Sequence, residues 1–319
     1  MTGYREPDLS RLKTVAIGAR ADKVDRTLFA RSPGGDRSFH AFLQSLPQLL
    51  AADHLRTVAA AIVSATRNRR GVLVLAGGHV IKTGLGPLLV DWIDRGIITH
   101  VALNGGAAIH DFEIATHGST SEDVERGLAD GSFGMAAETG AARNAAASWA
   151  HHAGRGLGEG LAEALARQDR LAGAEVSVLL ACQRRAIPVT VHTAIGAEII
   201  HQHPAADGAA LGATSHRDFR RLAGAMPDLH EGGVVLNLGS AVVLPEVFLK
   251  ALTVARNLDE GRPTGFLAAD FDMIRHYRPQ MNVVERPTRT GGTGVLLTGH
   301  HEILLPLLSW AVCDALDRG

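Results

Sequence analysis

The chain has 319 residues, 46% hydrophobic and 20% charged, with 32 basic against 33 acidic side chains and a formal net charge of −1. That balance excludes the basic field that a nucleic-acid or membrane-surface protein needs. No apolar run approaches membrane-spanning length without interruption, so the expected partner is a small molecule. The two cysteines, Cys182 and Cys313, form no CxxC pair and suit a reducing compartment. The N-terminus lacks the apolar core of a leader peptide, which predicts a cytoplasmic protein.

Residues 1–38 read as a mixed N-terminal extension ending in the turn-forming Arg31–Ser38. Leucine spacing predicts a helix over Phe39–Arg67, followed by a buried parallel strand at Gly71–Ala76. A helix is expected from Gly84 to Arg95 and a strand at Ile98–Leu103, together making a βαβ unit. The Ala-rich Ala141–Arg170 reads as helical, while Val176–Leu180 suits either strand or helix. Strands are expected at Ile187–His192, Val234–Leu238, Phe266–Ala269 and Val295–Leu297, and helices at Pro245–Leu258 and Glu302–Leu316. Polar segments at Thr116–Ala129 and His201–Arg217 read as excursions from one sheet. The alternation predicts a single doubly wound α/β domain over residues 39–319, Rossmann-like, with a mostly parallel sheet and helices on both faces.

In such sheets ligands bind beyond the carboxyl ends of the strands. Four predicted strand ends carry glycine or small polar residues: Gly77-Gly78-His79; Asn104-Gly105-Gly106; Thr193 to Gly196; and Gly239-Ser240. Together they suggest a shared crevice. Gly78, His79, Lys82 and Thr83 precede a helix, an arrangement that aims free N–H groups at a phosphate, although neither GxGxxG nor the P-loop order is present. Helix packing explains the same glycines without a ligand. His110 and Asp111 follow the second turn and are candidates for acid/base chemistry or substrate contact, as is Glu198 after the third. His110 and Asp111, with Glu113 and His117, also offer ligand types for a divalent metal, a minor alternative because no metal spacing motif is present.

Taken in order, several pieces resemble the deoxyhypusine synthase family. They are Gly84-Leu85 before Val90–Gly96, Gly105-Gly106 with His110-Asp111, Ile187-Pro188-Val189 leading to Thr193–Gly196, Asn237–Val243, and Leu304–Leu308. The resemblance implies a Rossmann-like fold that binds NAD and assembles as a homo-oligomer, a dimer or tetramer. In that family the reaction transfers an aminobutyl group from spermidine to a protein lysine, or acts on small polyamines. The family's NAD-contacting turns fall on Gly78-His79-Val80, Leu103–Gly106, Thr193–Gly196 and Leu238-Gly239-Ser240. Its acidic pair becomes His110-Asp111, and the aspartate of its third turn is gone. The family's late active lysine has no counterpart, because Lys250 is the last lysine and Asp270–Thr290 offers arginines instead. A guanidinium stays protonated and cannot form an imine. The resemblance therefore implies an NAD-binding enzyme with an altered reaction, hydride chemistry on a small amine or alcohol. A true aminobutyltransferase and a non-catalytic nucleotide-binding or metal-binding oligomer are the alternatives.

Overall fold

A computed structural model describes residues 3–318. Residues 3–38 contain three short 3-10 turns and almost no burial. Helices α1 (Phe39–Ser45) and α2 (Leu50–Arg67) then lead into β1 (Val72–Ala76). Helices α3 (Gly78–Lys82) and α4 (Gly86–Asp94) connect to β2 (His100–Asn104), which passes directly into α5 (Gly105–His117). Next come α6 (Val124–Asp130), α7 (Ala137–His152), α8 (Leu157–Ala166) and α9 (Val178–Arg184), before β3 (Val189–His192). Helix α10 (Gly208–Ala225), β4 (Val234–Leu238), α11 (Val243–Leu258) and β5 (Leu267–Asp272) follow. A π-helical segment, Pro279–Glu285, runs into α12 (Arg286–Thr288), and β6 (Thr293–Thr298) and α13 (His301–Asp317) close the chain.

All six strands are parallel in the order β3-β2-β1-β4-β5-β6, the doubly wound Rossmann-like arrangement expected from the sequence. Strand β1 is buried along its whole length, which is why Val72–Ala76 shows no polar alternation. Its side chains still alternate between two cores. Val72, Val74 and Ala76 pack with α2, α5 and α13 residues, whereas Leu73 and Leu75 pack with Leu222, Phe248 and Leu252 of α10 and α11. No helix among the described residues is long and apolar enough to cross a membrane.

Several expected boundaries move for local reasons. The span Phe39–Arg67 is two helices, since Pro47 holds Leu46 extended and ends α1. The span Ala141–Arg170 is also two, broken where Gly154 takes a left-handed φ of 66°. The expected Gly84–Arg95 helix starts at Gly86, because Gly84 has a φ of 84°. The open choice at Val176–Leu180 resolves as helix, capped by the Ser177 side chain. Asn104-Gly105-Gly106 is no loop: the Asn104 side chain accepts the Ala107 N–H at 2.8 Å and starts α5 at once.

The turns after β1 and β4 cross so closely that a Cβ on Gly77 would overlap the Gly239 carbonyl oxygen. Gly77 is thus a packing requirement. Gly77→Ala is expected to lose about 3 kcal/mol or more of stability, since backbone on both sides must move. A urea midpoint equal to that of the parent would contradict this.

Candidate functional site

The four strand-end turns lie side by side along the carboxyl edge of β3, β2, β1 and β4. Beyond the β2 and β3 ends opens a cavity of about 600 Å³ whose wall includes Lys82, Gly106, His110, Glu113, Glu138 and Glu198. Helical geometry explains the first part of this set. Gly106, His110, Glu113 and His117 are spaced three or four residues apart, so they share one face of α5. Asp111 is turned away from that face.

His110 is oriented by a relay. Its Nδ1 lies 2.8 Å from Thr120 Oγ, and the Thr120 hydroxyl donates to Glu113 Oε2 in a very short hydrogen bond. A hydroxyl has one hydrogen, and here it goes to the carboxylate, so Thr120 accepts from His110. The assigned tautomer therefore carries its proton on Nδ1 and leaves Nε2 bare. Thr139 Oγ donates to the other Glu113 oxygen at 3.1 Å, which fixes the carboxylate. Burial lowers the His110 pKa below the ordinary imidazole value, opposed by Glu113 and reinforced by Lys82 and Arg143.

Glu198 closes the α5 end of the cavity. Its Oε1 accepts the Ala194 N–H at 2.7 Å, and a Cβ on Gly105 would land inside its carboxylate. Gly105 is therefore what lets Glu198 sit at the positive end of α5. Its Oε2 has no hydrogen-bond partner and lies 3.8 Å from His201 Nε2. Burial raises the Glu198 pKa, against the Ala194 N–H, Arg143 and His201.

Arg143 stands one turn beyond Thr139 on α7, 1% exposed, and none of its three guanidinium nitrogens makes a hydrogen bond. Burial pushes its pKa down to about 10, opposed by Glu198, Glu113 and Asp111 in that order. Its charge is felt by Glu198, Glu113 and Asp111, without a salt bridge to any of them. Sequence reading passed over Arg143, Thr120 and Glu138. A lone arginine in the Ala-rich α7 was the one available signal for the first. Thr120 lies in a polar segment with no pattern of its own.

Several expected site residues have other work. Asp111 is fully buried and accepts from Val178 N at 2.7 Å, Leu179 N at 3.1 Å and Ser177 Oγ at 2.7 Å, capping α9. Both carboxylate oxygens are engaged in that cap. Ser240 is buried, and its Oγ accepts the Leu244 N–H at 3.3 Å at the start of α11. The Thr83 hydroxyl bonds back to His79 O at 2.8 Å, and the Thr193 N–H donates to Ser215 Oγ at 3.1 Å. Gly196 forms an exposed turn with a φ of 90°. His79 stands outside the cavity wall, its ring 5.4 Å from that of His301, beside Gly239. The possible metal set also disperses, since Asp111 faces α9. Among the described residues no three His, Cys, Asp or Glu side chains gather in a way that could hold a metal ion.

The solved structure of a LOR/SDH protein from Methanococcus maripaludis S2 is similar to 84% of this chain and 71% of its own, with a TM-score of 0.51 and 16% identity. The ternary complex of AgrE with ornithine and NAD+ is similar at a TM-score of 0.50 and 17% identity, over 83% of this chain. What is shared is the fold. The chain spans 33% of the length of AgrE. A protein from Entamoeba histolytica assigned as a deoxyhypusine synthase is similar over 88% of this chain and 94% of its own, at 10% identity and a TM-score of 0.48. No protein-family model matches the chain, and no curated protein matches it.

The site also bears on a dinucleotide. Gly105 and Gly106 open a 13-residue helix, and amides in a first turn have no intrahelical partner. A Cβ on Gly106 would meet nothing closer than Asn104 Oδ1 at 3.6 Å, so this glycine leaves open space beside the cavity. The opposite side is tighter, because a Cβ on Gly78 would lie 3.3 Å from the Gly106 carbonyl carbon and the His110 ring. Lys82 supplies a positive charge on the cavity wall. Lys82 and the Gly106 side of the α5 turn are the parts of the wall suited to a phosphate.

Proposed function

We propose that the protein is an NAD-dependent enzyme that oxidises a small amine. The observation that carries this reading is the Glu113–Thr120–His110 relay, which aims a bare imidazole nitrogen beside a cavity rich in carboxylates. Glu122, Glu138 and Glu198 line that cavity in addition to Glu113, against one lysine, Lys82. The excess of negative charge favours a cationic substrate. Gly106 and Lys82 would hold the cofactor phosphates, Gly105 being covered by the Glu198 carboxylate and Asn104 engaged in its cap on α5. When bound, NAD+ accepts the hydride that leaves the substrate carbon. His110 Nε2 accepts the substrate N–H proton, so that a C–N bond becomes C=N while the two electrons depart with the hydride. Thr120 and Glu113 keep the imidazole in the tautomer that can do this. Arg143 keeps Glu113 and Glu198 in place, and the buried Glu198 neutralises or orients the cationic nitrogen.

The test is calorimetric titration of the purified protein with NAD+, followed by absorbance at the reduced nicotinamide band with a panel of diamines and amino alcohols. Binding by the parent and loss of binding in Gly106→Val are expected, because the new methyls would fill the open side of the α5 turn. Absence of NAD+ and NADP+ affinity in the folded parent would end the proposal.

A further inference from the structure

We infer that the protein carries a second ligand site, for a small organic cation bearing N–H donors, at the opposite edge of the sheet from the candidate active site. A cavity of about 580 Å³ opens at the amino ends of β2 and β3, walled by His100, Glu159, Glu163, Ile187, Arg221 and Asp228. His100 begins β2, whereas Asn104, which caps the active-site helix, ends it. The two cavities are therefore separated by the length of a strand.

His100 is 1% exposed and its Nδ1 has no hydrogen-bond partner. Its Nε2 lies 3.1 Å from Thr190 Oγ, and His192 Nε2 lies at the same distance from that oxygen. Thr190 Oγ thus sits between two imidazole nitrogens, with Val101 O farther off at 3.5 Å, and can accept from both rings. With both rings donating to that oxygen, His100 is the Nε2–H tautomer and its unpartnered Nδ1 is an acceptor. Burial pushes the His100 pKa down to about 4, so the ring is neutral near pH 7. A buried acceptor without a donor is costly, and a ligand N–H in the cavity would satisfy it.

The charges around the cavity make the same demand. Glu159, Glu163 and Asp228 face one lining cation, Arg221, which is shared between Glu159 at 2.6 Å and Asp218 at 3.8 Å. Glu159 also pairs with Arg155, and Glu163 accepts from Arg167 at 2.8 Å and from Gln183 Nε2 at 2.9 Å, which leaves Asp228 as the free carboxylate of the wall. Asp228 has no ion pair among the described residues. Between these polar groups the wall is apolar, with Ala162, Ala186, Ile187, Pro188 and Ala225. A short alkyl chain ending in an ammonium or guanidinium group fits this order of surfaces: apolar stem, charged head toward the carboxylates, N–H toward His100.

The experiment is calorimetric titration of the full chain with n-butylguanidinium and n-butylammonium, and with tetramethylammonium as a cation lacking N–H. Gly224→Phe provides a blocked variant, because a Cβ there meets nothing within 4 Å and the helix gains from losing a glycine. The parent is expected to bind at least one N–H cation and to prefer it over tetramethylammonium. Gly224→Phe, shown folded by circular dichroism, should lose that binding, and Asp228→Asn should weaken it roughly tenfold. His110→Ala, altered in the other cavity, should retain it, so this outcome is independent of the proposed amine oxidation. The inference is overturned by absence of binding, by equal binding of tetramethylammonium, or by unchanged binding in Gly224→Phe. Loss in His110→Ala with retention in Gly224→Phe would overturn it as well, by placing the cation in the active-site cavity.

Discussion

Replacing His110 by alanine is expected to lower kcat for the amine substrate by roughly 10²- to 10⁴-fold, the usual contribution of a positioned general base. NAD+ affinity should change little, because the ring contributes to proton transfer and only touches the edge of the proposed phosphate turn. The pH profile gives a second reading. Burial holds the His110 pKa below its ordinary value of 6.5, so the reactive neutral form is present above that pKa and is lost as pH falls through it. The acid limb of kcat/KM should therefore lie below pH 6.5. Glu113 raises the His110 pKa, so Glu113→Gln should move this limb to still lower pH while reducing the plateau rate. An acid limb that stays in place in Glu113→Gln would break the proposed relay, as would a His110→Ala enzyme with parental kcat.

Replacing Asp111 by alanine should destabilise the fold without touching chemistry directly. The carboxylate accepts two backbone amides and one hydroxyl at the start of α9. Alanine leaves all three donors buried and unmatched, for a loss of roughly 3 kcal/mol after partial relaxation. Asparagine keeps one acceptor oxygen but turns an amide toward the remaining donors, so its loss should be nearly as large. Denaturant midpoints measure both variants. Alanine or asparagine variants as stable as the parent, but inactive with bound NAD+, would restore the catalytic role first expected of Asp111.

The contrast between His110 and Asp111 shows how far the linear pattern reaches. The residues are adjacent and both were legible as candidates, because both follow a glycine-rich strand end. Adjacent residues on a helix point about 100° apart, and only placement of α9 decides which direction is cavity and which is core. Sequence alone could not make that choice, since Ser177 and Val178 lie far along the chain from Asp111. Ser240 repeats the lesson on a smaller scale, where a strand-end hydroxyl proves to be a helix cap. Lys82, expected at a phosphate-binding turn, lies on the wall of the same cavity as His110.

The sequence by itself determined the architecture, because apolar runs such as Val72–Ala76 alternate with amphipathic stretches and leave few other ways to bury them. It also determined which strand ends would carry glycine, since a Cβ is excluded wherever two turns cross or a carboxylate approaches backbone, as at Gly77 and Gly105. Tertiary structure alone decided the working set. Thr120 and Thr139 bond to Glu113, Arg143 acts on it by charge, and Glu198 lies on the same cavity wall. Their grouping depends on how α5 and α7 pack, and on where the segments after α5 and β3 return to them. That packing is a property of long-range contacts, which local periodicity does not encode.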